Sequence, residues 1–418
     1  MKRTLWRRII ILMALLFPIL GSTLLLSDSR PIVLKGGYLI TVTQGVIRDG
    51  VLVIRNEKIE AVGKNIALPE NADIIDVSNC TVTPGFIDAF SHIGTVEWEA
   101  EDQDYDEAVS PLTPHMRIID ALNPENKWIE QARESGITAA LSAPGEGNLL
   151  SGQSALIHLA GSSLEEMVIK FPAGMHAALG ELPKMRYGQK NHYPMTRMGE
   201  MALLRQTFIE AREYADTLDN GSSPPPVNFK LQSLLPVLEK KIPLIVRANR
   251  MDDILSALRL ADEFQIKLIL NHGSEAFKVA DRLASFRIPV LISPFMNKQT
   301  LLETENARYT NASLLREAGV SIAFQTGPSL HFSDLLLQVR LAVSCGLPAG
   351  EGLKALTIYP AQIFGVGDQL GSLEEGKLAD IAVFDKHPLE SPALAKLVLI
   401  KGRVVENSLD KNLSENPQ

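Results

Sequence analysis

Short apolar runs punctuate the middle of this chain. Thr138-Ala-Ala-Leu141, Leu244-Ile-Val246, Leu268-Ile-Leu270, Val290-Leu-Ile292 and Ile322-Ala-Phe324 are too short for helices and uninterrupted enough for strands buried on both faces. Between and after them lie stretches of helical length: Met198 to Tyr214, Asp252 to Phe264, Glu275 to Ala284 and Ser333 to Cys345. Strands alternating with helices predict βαβ units and a parallel sheet, and about seven or eight such units suit a closed (β/α)8 barrel of the TIM type. An open doubly wound sheet is the alternative, but no glycine-rich phosphate loop follows any strand. Asn220 to Val227 is a loop by composition.

The two ends of the chain read differently. Tyr38 to Thr43, Val51 to Arg55 and Ile59 to Val62 are β-rich runs, with Asp49-Gly50 and Asn56-Glu57 as turns between them. Ile381 to Phe384 and Leu397 to Ile400 repeat the pattern, and Lys401-Gly402 turns the chain into Val404-Val405. The expected organisation is a small β-sandwich from residues 30–84 plus 368–408, enclosing an α/β barrel at 85–367.

The first 28 residues stand apart. Lys2, Arg3, Arg7 and Arg8 precede an uncharged apolar run from Ile9 to Leu26. A basic start followed by an apolar run marks a signal peptide or signal anchor. At about 18 residues the run is long for a signal core and just long enough to span a bilayer. Gly21-Ser22-Thr23 is a poor cleavage pattern, and the positive flank keeps the N-terminus in the cytoplasm. The expectation is a periplasmic or extracytoplasmic protein, anchored to the inner membrane if the segment is uncleaved, touching membrane through this segment only.

Composition adds exclusions. Of 418 residues, 45% are hydrophobic and 22% charged, with a net charge of −8, so no basic nucleic-acid footprint exists outside the N-terminus. Cys80 and Cys345 are too few for a disulfide framework. The segment Glu97 to Glu107 carries seven acidic side chains and is expected to form a solvated lid over the barrel mouth. His115 lies in a Pro-bracketed loop after that segment, and His158, His176, His192 and His387 lack partners at ligand spacing and read as surface or satisfied core residues.

Two stretches carry a family resemblance. Ile59-Glu-Ala-Val-Gly63, Ile75-Asp76 and Val82-Thr-Pro-Gly-Phe-Ile-Asp-Ala-Phe-Ser-His92 form the first, and Gly371-Ser-Leu-Glu-Glu-Gly-Lys-Leu-Ala-Asp-Ile-Ala-Val-Phe-Asp385 the second. Together they resemble the opening and closing signatures of the amidohydrolase superfamily. Ser110-Pro-Leu-Thr-Pro-His115, Gly180-Glu-Leu-Pro-Lys184, Pro194-Met-Thr-Arg-Met198 and Asn271-His272 are similar to an exported bacterial subgroup near imidazolonepropionase-like amidohydrolases. The resemblance covers about residues 32–407 and implies metal-dependent hydrolysis of C–N bonds in cyclic amides or small peptide-like substrates.

That chemistry uses divalent metal to make a nucleophile of bound water. The resemblance implies His-x-His after the first barrel strand, a mid-barrel carboxylate, a histidine after each of strands 5 and 6, and an aspartate base after strand 8. Matched residue by residue, His92, Glu181 and His272 remain as candidate ligands. Phe90 replaces the first histidine, Arg247 and Asn249 stand where the subgroup has histidine, and Gly327 occupies the base position. Arg247 is a permanent cation and repels a metal. The expectation is a degenerate site binding no metal, or one weakly held zinc-type ion, in a non-catalytic or partner subunit. Its partner would be an intact amidohydrolase paralogue or a second copy. Two alternatives stand: a mononuclear hydrolase using His92, Glu181 and His272, with His331 or Asp334 recruited, or a protein that binds a small carboxylate through Arg247 in a pocket lined by Phe90, Asn249 and Gly327.

Overall fold

The computed structural model describes residues 30–97, 103–220, 225–292, 301–328, 331–390 and 393–409. The N-terminal basic and apolar segment lies outside these residues. Among the described residues no helix is long and apolar enough to cross a membrane.

Two eight-stranded sheets dominate the α/β fold. The first runs in the order β16-β15-β14-β5-β1-β2-β3, with β4 also paired to β1. Its strands are β1 (Ile32–Ile40), β2 (Val46–Arg55), β3 (Lys58–Gly63), β4 (Asp73–Asp76), β5 (Thr81–Pro84), β14 (Ile381–Phe384), β15 (Ala395–Ile400) and β16 (Arg403–Asn407). The early and late parts of the chain meet where β14 pairs antiparallel with β5, Ile381 opposite Pro84 and Phe384 opposite Thr81. The first strand starts earlier than the apolar pattern predicts and stops at Ile40. Thr41 ends it by folding into a turn, its hydroxyl donating to Gly45 O at 2.7 Å and accepting from Gln44 N.

The second sheet contains β6 (Phe86–Ser91), β7 (Ile137–Ser142), β8 (Leu150–His158), β9 (Val168–Ala178), β10 (Leu244–Ala248), β11 (Leu268–His272), β12 (Val290–Ile292) and β13 (Ile322–Phe324), paired in chain order. It curls nearly into a barrel. Gly327 N donates to Phe90 O at 3.0 Å, and Ser91 and Gly327 form a parallel bridge that draws its two edges together. Asp88 reinforces the seam: its buried carboxylate accepts from both the backbone N–H and the hydroxyl of Thr326.

One feature departs from a regular (β/α)8 succession. β8 runs antiparallel to both β7 and β9, and only the short helix Leu164–Met167 separates it from β9. An antiparallel neighbour needs no crossover helix, so the chain meanders here instead of winding. The remaining pairs are parallel.

Alternation places the chemistry. Ile245, Ile269, Leu291 and Ala323 pack together with Phe90 inside the curl. Arg247 and Asn249, two and four residues beyond Ile245, share its face at the C-terminal end of β10. The neighbouring face packs on helices. In the helix Met251–Phe264, Ile254, Ala257, Leu258, Ala261 and Phe264 recur at helical spacing and are buried, Asp252 and Asp253 sit in the first turn, and Gln265 closes the end with φ 55°.

Candidate functional site

The C-terminal ends of the barrel strands gather a set of buried polar groups, the position where barrel enzymes carry their chemistry. Phe90, in β6, is fully buried amid three imidazoles. Its ring centroid is 5.3 Å from that of His92, 5.6 Å from His176 and 6.3 Å from His272. His92 Nδ1 is 2.7 Å from Ala143 O, and the other face of the site is closed by Tyr105, whose ring stacks on His92 at 4.2 Å and 12°.

Arg247 extends from β10 and is 4% exposed. Its Nη1 donates to Glu303 Oε1 at 2.6 Å, and its Nε lies 3.7 Å from Glu146 Oε2. Asn249 Nδ2 donates to the same Glu303 oxygen at 3.0 Å, while its Oδ1 accepts from Ser274 Oγ at 2.7 Å. Glu303 comes from the turn Leu302–Thr304 after β12. Burial alone raises its carboxyl, but the Arg247 charge and the donors from Glu181 and Asn249 hold it below the ordinary value.

Glu146 arrives on the loop after β7. Its two oxygens each lie 2.9 Å from His272 Nε2, and Oε1 accepts from Asn271 Nδ2 at 2.8 Å. Burial pushes this carboxyl up, yet His272, Arg247 and His92 hold it down to about 2. Glu146 is therefore an anion facing the Nε2 edge of His272. His272 adopts φ 71°, a left-handed conformation that costs a non-glycine residue on the order of 1–3 kcal/mol and concentrates at functional sites. Gln325 Nε2 braces the pair by donating to Asn271 Oδ1 at 2.6 Å.

Burial disfavours the charged form of the two other imidazoles beside Phe90. Desolvation lowers His92 and takes His176 down to about 3. His176 Nε2 is buried without a hydrogen bond. Gly327, with φ 63°, contributes backbone to the β6–β13 seam and no side chain.

Glu181 stands apart from the imidazoles. It opens the helix Glu181–Gly188, where its Oε2 accepts from Glu303 N at 3.2 Å and its own N–H donates to Glu303 Oε2 at 2.8 Å. The preceding Gly180 has φ 98°, and a Cβ there would lie 2.6 Å from Glu303 and 2.8 Å from Asp253. Behind it, Arg197 pairs with Asp253 through two bonds of 2.6 and 3.0 Å. Glu200 accepts from Gly180 N, while its other oxygen has no partner, and burial raises its carboxyl to about 8. His331 is exposed, and Asp334 lies in the first turn of the helix Asp334–Ser344.

Residues 103–107 of the acidic insert cover this chamber. Gly145 N donates to Tyr105 O at 2.6 Å, Asn148 Nδ2 to Glu107 O at 2.7 Å, and Arg186 grips Asp106 through both ends of its guanidinium fork. Glycines allow the close approach: a Cβ on Gly145 would sit 2.5 Å from Asp106, and one on Gly147 2.0 Å from Arg186.

The family resemblance assigned Phe90, His92, Arg247, Asn249, His272 and Gly327 to strand ends, and the fold brings them to one mouth. It missed Glu146, Glu303 and the contact of His176 with Phe90. Of these only Glu146 carried a trace, a lone charge between two glycines in a loop.

The Amidohydrolase family profile matches residues 303–407. The crystal structure of an amidohydrolase from Thermotoga maritima superposes with a TM-score of 0.86 at 34% identity, covering 90% of this chain and 100% of that one. The chain belongs to the amidohydrolase family. The amidohydrolase tasK of Hapsidospora irregularis is 26% identical over 365 residues, 80% of this chain but 37% of that one, so the chain spans well under half of that relative. The imidazolonepropionase of Picrophilus torridus is 23% identical over 376 residues, 81% of this chain and 86% of that one.

A divalent metal is what the family resemblance implies, and most of the polar side chains at this mouth are already paired with one another. Among the described residues no three His, Cys, Asp or Glu side chains are placed to hold a metal ion together. Phe90 fills the centre of the imidazoles, Arg247 brings a fixed positive charge, and the Glu146 carboxylate is already engaged by His272 and Asn271.

Proposed function

We propose that this chain is an amidohydrolase-family protein that has given up metal-dependent hydrolysis and serves as a non-catalytic or partner subunit. The carrying observation is Arg247, held between the buried carboxylates of Glu303 and Glu146. One guanidinium supplies there the positive charge that a metal would supply, and a divalent ion would have to displace it. The base position at Gly327 has no titratable group, so no side chain there can take a proton from water. The sheet joining β5 to β14 is read as the family's small sandwich.

The reading as a mononuclear hydrolase with one weakly bound zinc-type ion on His92, Glu181 and His272 has less support. Glu181 is tied to the backbone of Glu303, and His272 faces Glu146. The partner we infer is an intact amidohydrolase or a second copy of this chain. The site is placed outside the cytoplasm, with residues 1–28 as anchor or signal, on the strength of Lys2, Arg3, Arg7 and Arg8 before the apolar run.

The test is turnover. The purified full-length chain, with and without added zinc, is assayed against hydantoins, lactams and acyl dipeptides. No hydrolysis above the buffer rate is expected. Hydrolysis that His272→Ala abolishes would replace this reading with the mononuclear enzyme.

A further inference from the structure

The chamber holds a carboxylate that belongs to the chain itself. Glu146 stands between Gly145 and Gly147 and reaches into a cradle of donors from two neighbouring strands. His272 Nε2 faces both its oxygens at 2.9 Å, and Asn271 Nδ2 donates at 2.8 Å. Arg247 Nε points at Oε2 but stops at 3.7 Å, and this nitrogen makes no hydrogen bond although Arg247 is 96% buried. The cradle is thus built for a carboxylate, and the tethered one does not fill it. A free carboxylate, not held by the loop backbone, can approach both Arg247 and His272, and guanidinium with carboxylate is a pairing that gains from such planar geometry.

The same loop is fastened through Asn148, which bonds Glu107 O, Thr113 Oγ1 and the Tyr187 hydroxyl, and through a cover latched from outside. Asp106 and Arg186 form a bidentate pair, each side chain about a fifth exposed, at 22% and 23%. Tyr105 rides on that latch, bonds Gly145 and covers His92. Releasing Asp106 would loosen the cover and, through the bond from Gly145 N to Tyr105 O, the start of the Glu146 loop.

We propose that Glu146 is an internal stand-in for a small-molecule monocarboxylate. When the Asp106–Arg186 latch opens, residues 143–149 lift and an external carboxylate takes the cradle of Arg247, His272 and Asn271. The rest of the ligand lies against the Phe90 ring. The inference rests on the metal-free reading of the site, because Arg247 rather than a metal ion provides the charge.

The experiment uses the full-length chain, treated with EDTA or loaded with zinc, and titrates acetate, N-acetylglycine and inorganic phosphate by calorimetry at constant ionic strength. Wild type, Glu146→Gln and Asp106→Asn are compared. Glu146→Gln removes the internal competitor, so it should bind the carboxylates at least about tenfold more tightly than wild type, with Asp106→Asn between them and EDTA without effect. Equal affinity in all three proteins, or phosphate bound as tightly as acetate, overturns the proposal. Carboxylate binding that requires zinc overturns it and the metal-free reading together. Absence of saturable carboxylate binding in every protein sinks the inference alone and leaves the metal-free reading standing. Should Glu146→Gln fail to fold, Asp106→Asn, which alters only the partly exposed latch, decides the matter.

Discussion

Arg247 donates to Glu303 across the barrel mouth at 2.6 Å, although 56 residues separate them and neither is more than 4% exposed. A buried pair of this kind adds little net stability when intact but is costly to break, because the surviving charge is left in low dielectric. Arg247→Met should therefore destabilise the chain by roughly 3–5 kcal/mol in urea unfolding. The double change Arg247→Met with Glu303→Gln should recover a large part of that loss. Equal losses in the single and double variants would show that Arg247 matters for its volume and not its charge.

Restoring one ligand should not restore a metal site. Phe90→His places an imidazole among His92, His176 and His272, yet Arg247 still repels a dication and Gly327 still offers no base. Zinc titration of Phe90→His should show no stoichiometric site and no hydrolysis. A tight site in this variant alone would mean that Phe90, rather than Arg247, is what excludes metal.

These residues differ in how legible they were. Strands β10 to β13 and the helix Met251–Phe264 announce themselves by apolar runs and helical spacing, and the family motifs fall on those strand ends. Phe90, Arg247, His272 and Gly327 could thus be assigned to the mouth through the resemblance. Glu146 and Glu303 could not, because each sits in a loop without periodicity, and their partners lie 126 and 56 residues away. Only the tertiary fold gives them a meaning. The antiparallel β8 escaped for a related reason: Leu150–His158 contains Gly152 and small polar residues, so its alternation is weak, and a meander leaves no crossover helix to count.

The Glu200 carboxyl makes stability depend on pH. Its folded value is raised from 4.5 to about 8 by burial. Below 4.5 the folded and unfolded chains both hold the proton. As pH rises from there, the unfolded chain releases it and the folded chain does not, so stability falls until about pH 8. Glu200→Gln removes this penalty. It should be neutral near pH 4 and stabilising by on the order of a few kcal/mol at pH 8, read from thermal or urea unfolding. A pH-independent effect would place the charge of Glu200 elsewhere.

The cover over His92 can be probed chemically. Tyr105 stacks on the imidazole and His92 is 5% exposed. Diethylpyrocarbonate should leave His92 unmodified in wild type while labelling the exposed His192. Tyr105→Ala, and more weakly Asp106→Asn, should raise His92 labelling several-fold in peptide mass spectra. Strong labelling of His92 in the wild-type chain would show that the described cover does not close the mouth in solution.

Metal content tests the account most directly. The native full-length chain is purified without chelator in zinc-supplemented buffer, dialysed and analysed for zinc, manganese, iron, cobalt and nickel by plasma mass spectrometry. The ion-pair network of Arg247, Glu303, Glu146 and His272 predicts well under one tightly bound divalent ion per chain, since zinc sites take three or four protein ligands. One stoichiometric metal per chain, lost in His272→Ala, would contradict it.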